Sequence, residues 1–160
     1  MSWAVFWVPR DAVRGGVRRS LLGQWEDLPA REQAVGVRAG DPIFLSPDHR
    51  VDPLLSRYGQ SNVFRAYTVE TRRNYATAIA LLLTSLWNRG RGWTEATQRD
   101  LDGYEHWRRF AETNPKRIGG SKWNRELAAF TSLYGWAVRE RHLTRNPVVM
   151  KRCWAGTARL

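Results

Sequence analysis

The longest uncharged stretch, Asn74 to Asn88 (NYATAIALLLTSLWN), most limits what this chain can become. It is too short for a membrane span, and its Asn and Thr residues suit lipid poorly. Its apolar positions recur at helical spacing instead, with Tyr75, Ile79, Leu82 and Leu86 on one face. Thr68 reads as the N-cap of this helix and Gly90 as its stop.

Similar punctuation frames three more helices. Asp52-Pro53 supplies a cap and a first-position proline ahead of Leu54, Leu55 and Tyr58. Thr97-Gln98-Arg99-Asp100 resembles a capping box, and Leu101, Tyr104, Arg108 and Ala111 follow on one side. Asn114-Pro115 ends that helix. Ser121 reads as the cap of the last, whose face carries Leu127, Phe130, Tyr134 and Ala137 and which stops before Asn146-Pro147. The expectation is a four-helix domain over about 51–147, with loops short enough for a bundle.

Residues 1–46 have another texture. Short apolar runs (AVFWV, AVGV, PIFL) alternate with turn signals such as Arg14-Gly15-Gly16 and Ala39-Gly40-Asp41-Pro42. Short strands are expected there, around one amphipathic segment near Leu21 to Leu28.

Charge separates the two regions as well. The formal net charge is +11 and the pI near 10.9, which points to an anionic partner, nucleic acid first. Residues 1–60 hold 8 Arg and Lys against 7 Asp and Glu, whereas residues 61–160 hold 18 against 8. A general preference for Arg explains 23 Arg beside 3 Lys but not this asymmetry. Hydrophobic content of 42% with 9 Trp excludes global disorder. Cys153 is the single cysteine, so no internal disulfide forms, and a reducing cytoplasm fits. MSWAVFWVP lacks the basic start and the cleavage site of a signal peptide.

The last helix poses a puzzle. Its first turn carries Lys122, Asn124 and Arg125, where the helix dipole favours anions. An external anion facing that turn resolves it.

The order of these elements resembles a known module. A Thr-x-x-x-Tyr opening (Thr71 and Tyr75) leads into an apolar stripe and then WTEATQRDLDGYEHW. After it come SKWNRELAAFTSLYGWAV, a short polar turn and LTRNPV. Residues 51–150 in this order look like the N-terminal core-binding domain of tyrosine recombinases, the phage-integrase family. The resemblance implies a mainly α fold: a four-helix core-binding domain of integrase type with a small N-terminal appendage of short strands. Residues 148–160 would begin an interdomain linker. It implies double-stranded DNA as partner, with other recombinase protomers on that DNA, no membrane, no nucleotide or metal cofactor, and a cytoplasmic protein of bacterial or phage origin. Strand cleavage through a phosphotyrosine would belong to a C-terminal catalytic domain that this chain does not carry.

Family members lay the N-terminal ends of two helices against the major groove and its phosphates. Carried over, these are the openings at Thr68–Tyr75 and Ser121–Arg125. The candidate DNA contacts are Thr71, Arg72, Arg73, Thr77, Lys116, Arg117, Ser121, Lys122, Asn124 and Arg125. Arg73 and Thr77 lie opposite Tyr75 and Leu82 on the helical wheel, away from the core. Arg72 sits nearer the apolar stripe, which its stem could cover instead. Thr71 could equally bond local backbone. Asn124 and Arg125 have the chemistry to read adenine and guanine edges, although Asn124 could instead bond the backbone of the helix start. Lys116 and Arg117 form a basic linker that suits phosphate or plain solvent. Trp123 could stack on sugar or pack under the loop, while Trp87, Trp93, Trp107 and Trp136 are assigned to packing.

His106–Arg109 and His142–Arg145 reproduce a His-x-x-Arg spacing used by active recombinases, and Tyr134 follows the first. Both fall inside the helical domain, and Tyr134 falls on its apolar face, so no catalytic residue is assigned. His49, His106, His142 and Cys153 share no metal-ligand spacing. Two further readings stay open: a stand-alone DNA-binding regulator of recombination, and a protein-interaction module with the Trp-rich N-terminal part as its interface.

Overall fold

Helix starts fall where short polar side chains can replace missing backbone partners. The structure, a computed structural model, describes residues 1–9, 34 and 36–149. The amphipathic segment near Leu21 to Leu28, the turn at Arg14-Gly15-Gly16, Cys153 and nearly all of the expected linker lie outside the described residues. Among these, the order is β1 (Ala4–Trp7), β2 (Pro42–Leu45), α1 (Pro53–Gln60), α2 (Asn62–Arg65), α3 (Val69–Asn88), a 3₁₀ turn (Trp93–Glu95), α4 (Gln98–Arg109) and α5 (Gly120–Arg139).

Asp52 opens α1: its Oδ1 accepts from the amides of Leu54 at 2.9 Å and Leu55 at 3.0 Å. Thr68 caps α3 through the Thr71 amide, and Thr97 and Asp100 form the expected capping box of α4. Gly90, at φ +70°, allows the Arg91 amide to reach back to the Leu86 carbonyl and end α3. Two starts differ from expectation. Ser61 closes α1 on the Tyr58 carbonyl and also accepts from the Phe64 amide, which creates the additional short helix α2. The N-cap of α5 is Gly119, without a side-chain bond, and Ser121 lies exposed inside the first turn.

α3 packs along α5, and α1 and α4 flank the pair. Ile79, Leu82, Leu83 and Leu86 of α3 meet Phe130, Leu133 and Tyr134 of α5 in one buried cluster that also takes in Leu55, Tyr58, Phe64, Leu101 and Tyr104. Phe44 of β2 belongs to the same cluster, so the strand pair and the helices share one core. β1 and β2 pair antiparallel, with Ala4 opposite Leu45 and Trp7 opposite Pro42. AVGV forms no strand at its described residues, because Gly36 turns at φ +76°. Gly59 of α1 lies so close to β2 that a Cβ would meet Pro42 Cγ at 2.6 Å.

The tryptophans divide. Trp93, Trp123 and Trp136 are buried, whereas Trp87 and Trp107 remain 38% and 39% exposed, so packing accounts for them only in part. Trp87 meets Trp3 edge to face, and Trp107 stacks on Tyr104.

One hydrogen-bond chain ties three elements together. Trp93 Nε1 donates to Asp52 Oδ2 at 2.9 Å, and Tyr134 donates its hydroxyl to the Trp93 carbonyl at 2.9 Å. Asp52→Ala therefore removes a helix cap and orphans a buried indole. Urea unfolding should show a loss of about 2–4 kcal/mol.

Burial also pushes the hydroxyls of Tyr58, Tyr104 and Tyr134 above the ordinary tyrosine range. Their protons are held more tightly in the fold than in the unfolded chain. That stabilisation is complete below about pH 10 and drains away as pH rises further. The phenolate absorbance of these three tyrosines should accordingly rise together with alkaline unfolding, rather than before it.

Candidate nucleic-acid interface

The candidate interface is built from the first halves of α3 and α5 and the loop that feeds α5. Trp123 anchors the start of α5, buried against Tyr104 and Phe130 at centroid distances of 6.0 and 6.1 Å. One turn on, Glu126 receives both arms of Arg108 from α4, at 3.1 Å from Nε and 2.7 Å from Nη2. Arg108 spends its remaining fork on the Lys116 carbonyl at 3.2 Å, while its own carbonyl accepts from the Ile118 amide. Asn114, buried, donates to the Trp107 carbonyl and accepts from the Lys116 amide. The loop backbone is therefore fixed, with the side chains of Lys116 and Arg117 exposed.

Thr71 and Thr77 of α3 and Lys122 and Arg125 of α5 come together in one cleft of about 430 Å³. Asn74, Tyr75, Ala78 and Leu81 of α3 and Ala128 of α5 complete its walls, over the Arg108–Glu126 pair. Thr71 is half-buried and bonded to Thr68, and the Thr77 hydroxyl donates to the Arg73 carbonyl at 2.9 Å. Lys122 and Arg125 are exposed, and neither forms an ion pair among the described residues. Arg73 is exposed outside the cleft, also without an ion pair.

Six of the ten candidates do not line this cleft: Arg73, Lys116, Arg117 and Ser121 are exposed outside it, and Arg72 and Asn124 turn to other parts of the fold. Arg72 turns to the loop before β2, where Nη1 donates to the Gly40 carbonyl at 3.4 Å and Nε is buried without a partner. Asn124 faces away from Lys122 and Arg125: it lines two other clefts, one with Leu101 and Val148, the other with Val63 and Tyr67. Sequence reasoning did not single out Asn74, although Thr71, Asn74, Ala78 and Leu81 follow helical spacing. It also missed Glu126 as the partner of Arg108, because that pairing spans two helices.

The residues of the first His-x-x-Arg spacing, and the tyrosine after it, are engaged within the fold. Arg109 pairs with Glu105 at 2.7 Å, and Tyr134 is fully buried with its hydroxyl committed to a carbonyl. Among the described residues, no three His, Cys, Asp or Glu side chains cluster to hold a metal. No described helix is long and apolar enough to cross a membrane.

With this architecture in place, comparison with known families gives one match: the N-terminal SAM-like domain of phage integrase, over residues 62–141. The chain belongs to that family of tyrosine recombinases. The match opens at α2 and closes just after α5, while β1, β2 and α1 precede it. Neither the curated proteins nor the solved structures gave a match.

The Arg108–Glu126 pair holds the loop and α5 in register, and breaking it strands a buried charge. Arg108→Met and Glu126→Leu should each cost about 3–5 kcal/mol, whereas the double substitution should recover most of that loss in urea unfolding.

Proposed function

We propose that this chain grips duplex DNA as the core-binding part of a site-specific recombinase. Its helices set the register on a core half-site, and the catalytic half of such enzymes cuts and rejoins the strands. One observation carries the reading: Lys122 and Arg125, without an ion pair among the described residues, stand over the same cleft as Thr71 and Thr77, at the amino-terminal halves of two long helices. At the uncapped opening of α5, free backbone amides and the positive dipole end favour phosphate. Exposed Arg73, Lys116 and Arg117 extend the cationic surface beside them. Glu126 does not cancel this field, because Arg108 holds its carboxylate.

Fluorescence anisotropy with a labelled duplex over a salt series tests the proposal. Affinity should fall steeply with salt, and Lys122→Ala/Arg125→Ala should make the log–log slope shallower by about 2. Weak binding that ignores salt would put the protein-interaction reading in its place.

A further inference from the structure

Resting on that DNA-binding reading, we infer that the α3–α5 cleft reads an A·T base pair, with Asn74 as the residue that specifies adenine. Asn74 is exposed on the cleft wall, and its amide has no hydrogen-bond partner among the described residues. Asparagine is a poor helix former whose usual return is a cap or a local backbone bond. At the sixth position of α3, Asn74 makes neither. A carboxamide pairs its donor and acceptor with adenine N7 and N6 in the major groove, and this bidentate match is the chemistry Asn74 offers.

The neighbouring side chains point to the same base pair. Leu81 is 40% exposed in the cleft wall, with Ala78 beside it and Ala128 opposite. An exposed leucine among cations does nothing for phosphate. It does suit the thymine methyl group, the one apolar feature of a major-groove base edge. Cytosine needs an acceptor such as a carboxylate, and the one carboxylate that lines the cleft among the described residues, Glu126, is taken by Arg108. Lys122 and Arg125 remain for the flanking phosphates. Asn124, with the same amide, lies on other walls of α5 and cannot share this role.

The test uses the full chain and a pool of randomised duplexes. Wild type, Asn74→Ala, Asn124→Ala and Leu81→Ala each select from the pool, and anisotropy then measures the enriched duplex. Wild type should enrich one A·T position, and replacing that pair by G·C should weaken binding about 5- to 150-fold. Asn74→Ala should bind both duplexes alike with the salt slope unchanged, while Asn124→Ala keeps the preference. Replacing the selected thymine by deoxyuridine should weaken wild type but leave Leu81→Ala unaffected. The inference is overturned if Asn74→Ala retains the preference, if Asn124→Ala abolishes it, or if wild type binds duplex without selecting an A·T position. Absence of any duplex binding by wild type would remove the DNA-binding reading and this inference with it.

Discussion

The arrangement of the candidate interface depends on one buried pair of charges. Arg108 and Glu126 have side chains only 10% and 7% exposed, and burying both ions carries a large desolvation cost. Good geometry offsets it: two charge-assisted bonds run to Glu126, and a third bond from Arg108 holds the Lys116 carbonyl. The carboxylate also keeps the guanidinium above its ordinary pKa. Such a pair adds little net stability over a well-packed apolar equivalent, so its value here is positional. It joins α4 to α5, sets where the basic loop leaves α4, and neutralises the acid beneath the cleft. Fold and interface share this contact.

A second pair fixes the strand end of the molecule. Asp41, buried just before β2, accepts from Arg65 of α2 at 3.0 Å through Nε and 2.6 Å through Nη2. The same carboxylate accepts from the Arg38 amide, and Arg65 reaches the Gly36 carbonyl. Arg72 adds its bond to Gly40, so the loop before β2 is fastened both to α2 and to the first turn of α3. Trp3 reaches the far half of α3, donating its amide to Thr84 Oγ1. The strand pair thus braces α3 at two places along its length. This gives residues 1–9 and 36–46 a structural use that their weak strand signals did not suggest.

Helix starts were legible because capping is local: Asp52, Thr68 and Thr97 each act within three residues of themselves. α2 was not legible, since one serine both closes a helix and opens the next. Side-chain direction was the harder matter. Asn124 and Arg125 are adjacent in sequence, yet a helix turns about 100° per residue, and only the placement of α3 decides which of them meets the cleft. Asn74 hid for a related reason. Its stripe of Thr71, Ala78 and Leu81 reads as the fringe of the apolar face until α5 leaves that fringe uncovered. Arg72 was ambiguous in sequence, and its destination depends on a loop some thirty residues upstream.

The start of α5 brings these strands together. α1, α3 and α4 each begin under a side-chain cap, and α3 and α4 also carry an acid in the first turn. α5 is as long as α3 but begins on Gly119, with no capping bond and no first-turn acid. A Ser, Thr or Asp at that position would stabilise the free protein by roughly a few tenths of a kcal/mol. It would also place its oxygen where an incoming phosphate would otherwise bond the same amides. Glycine leaves those donors open, and Lys122 and Arg125 raise the local positive potential further. An anion bound at this turn would stabilise the folded chain in proportion to its occupancy, by ordinary mass action. An anion bound there would supply, on binding, the kind of stability that a side-chain cap supplies permanently.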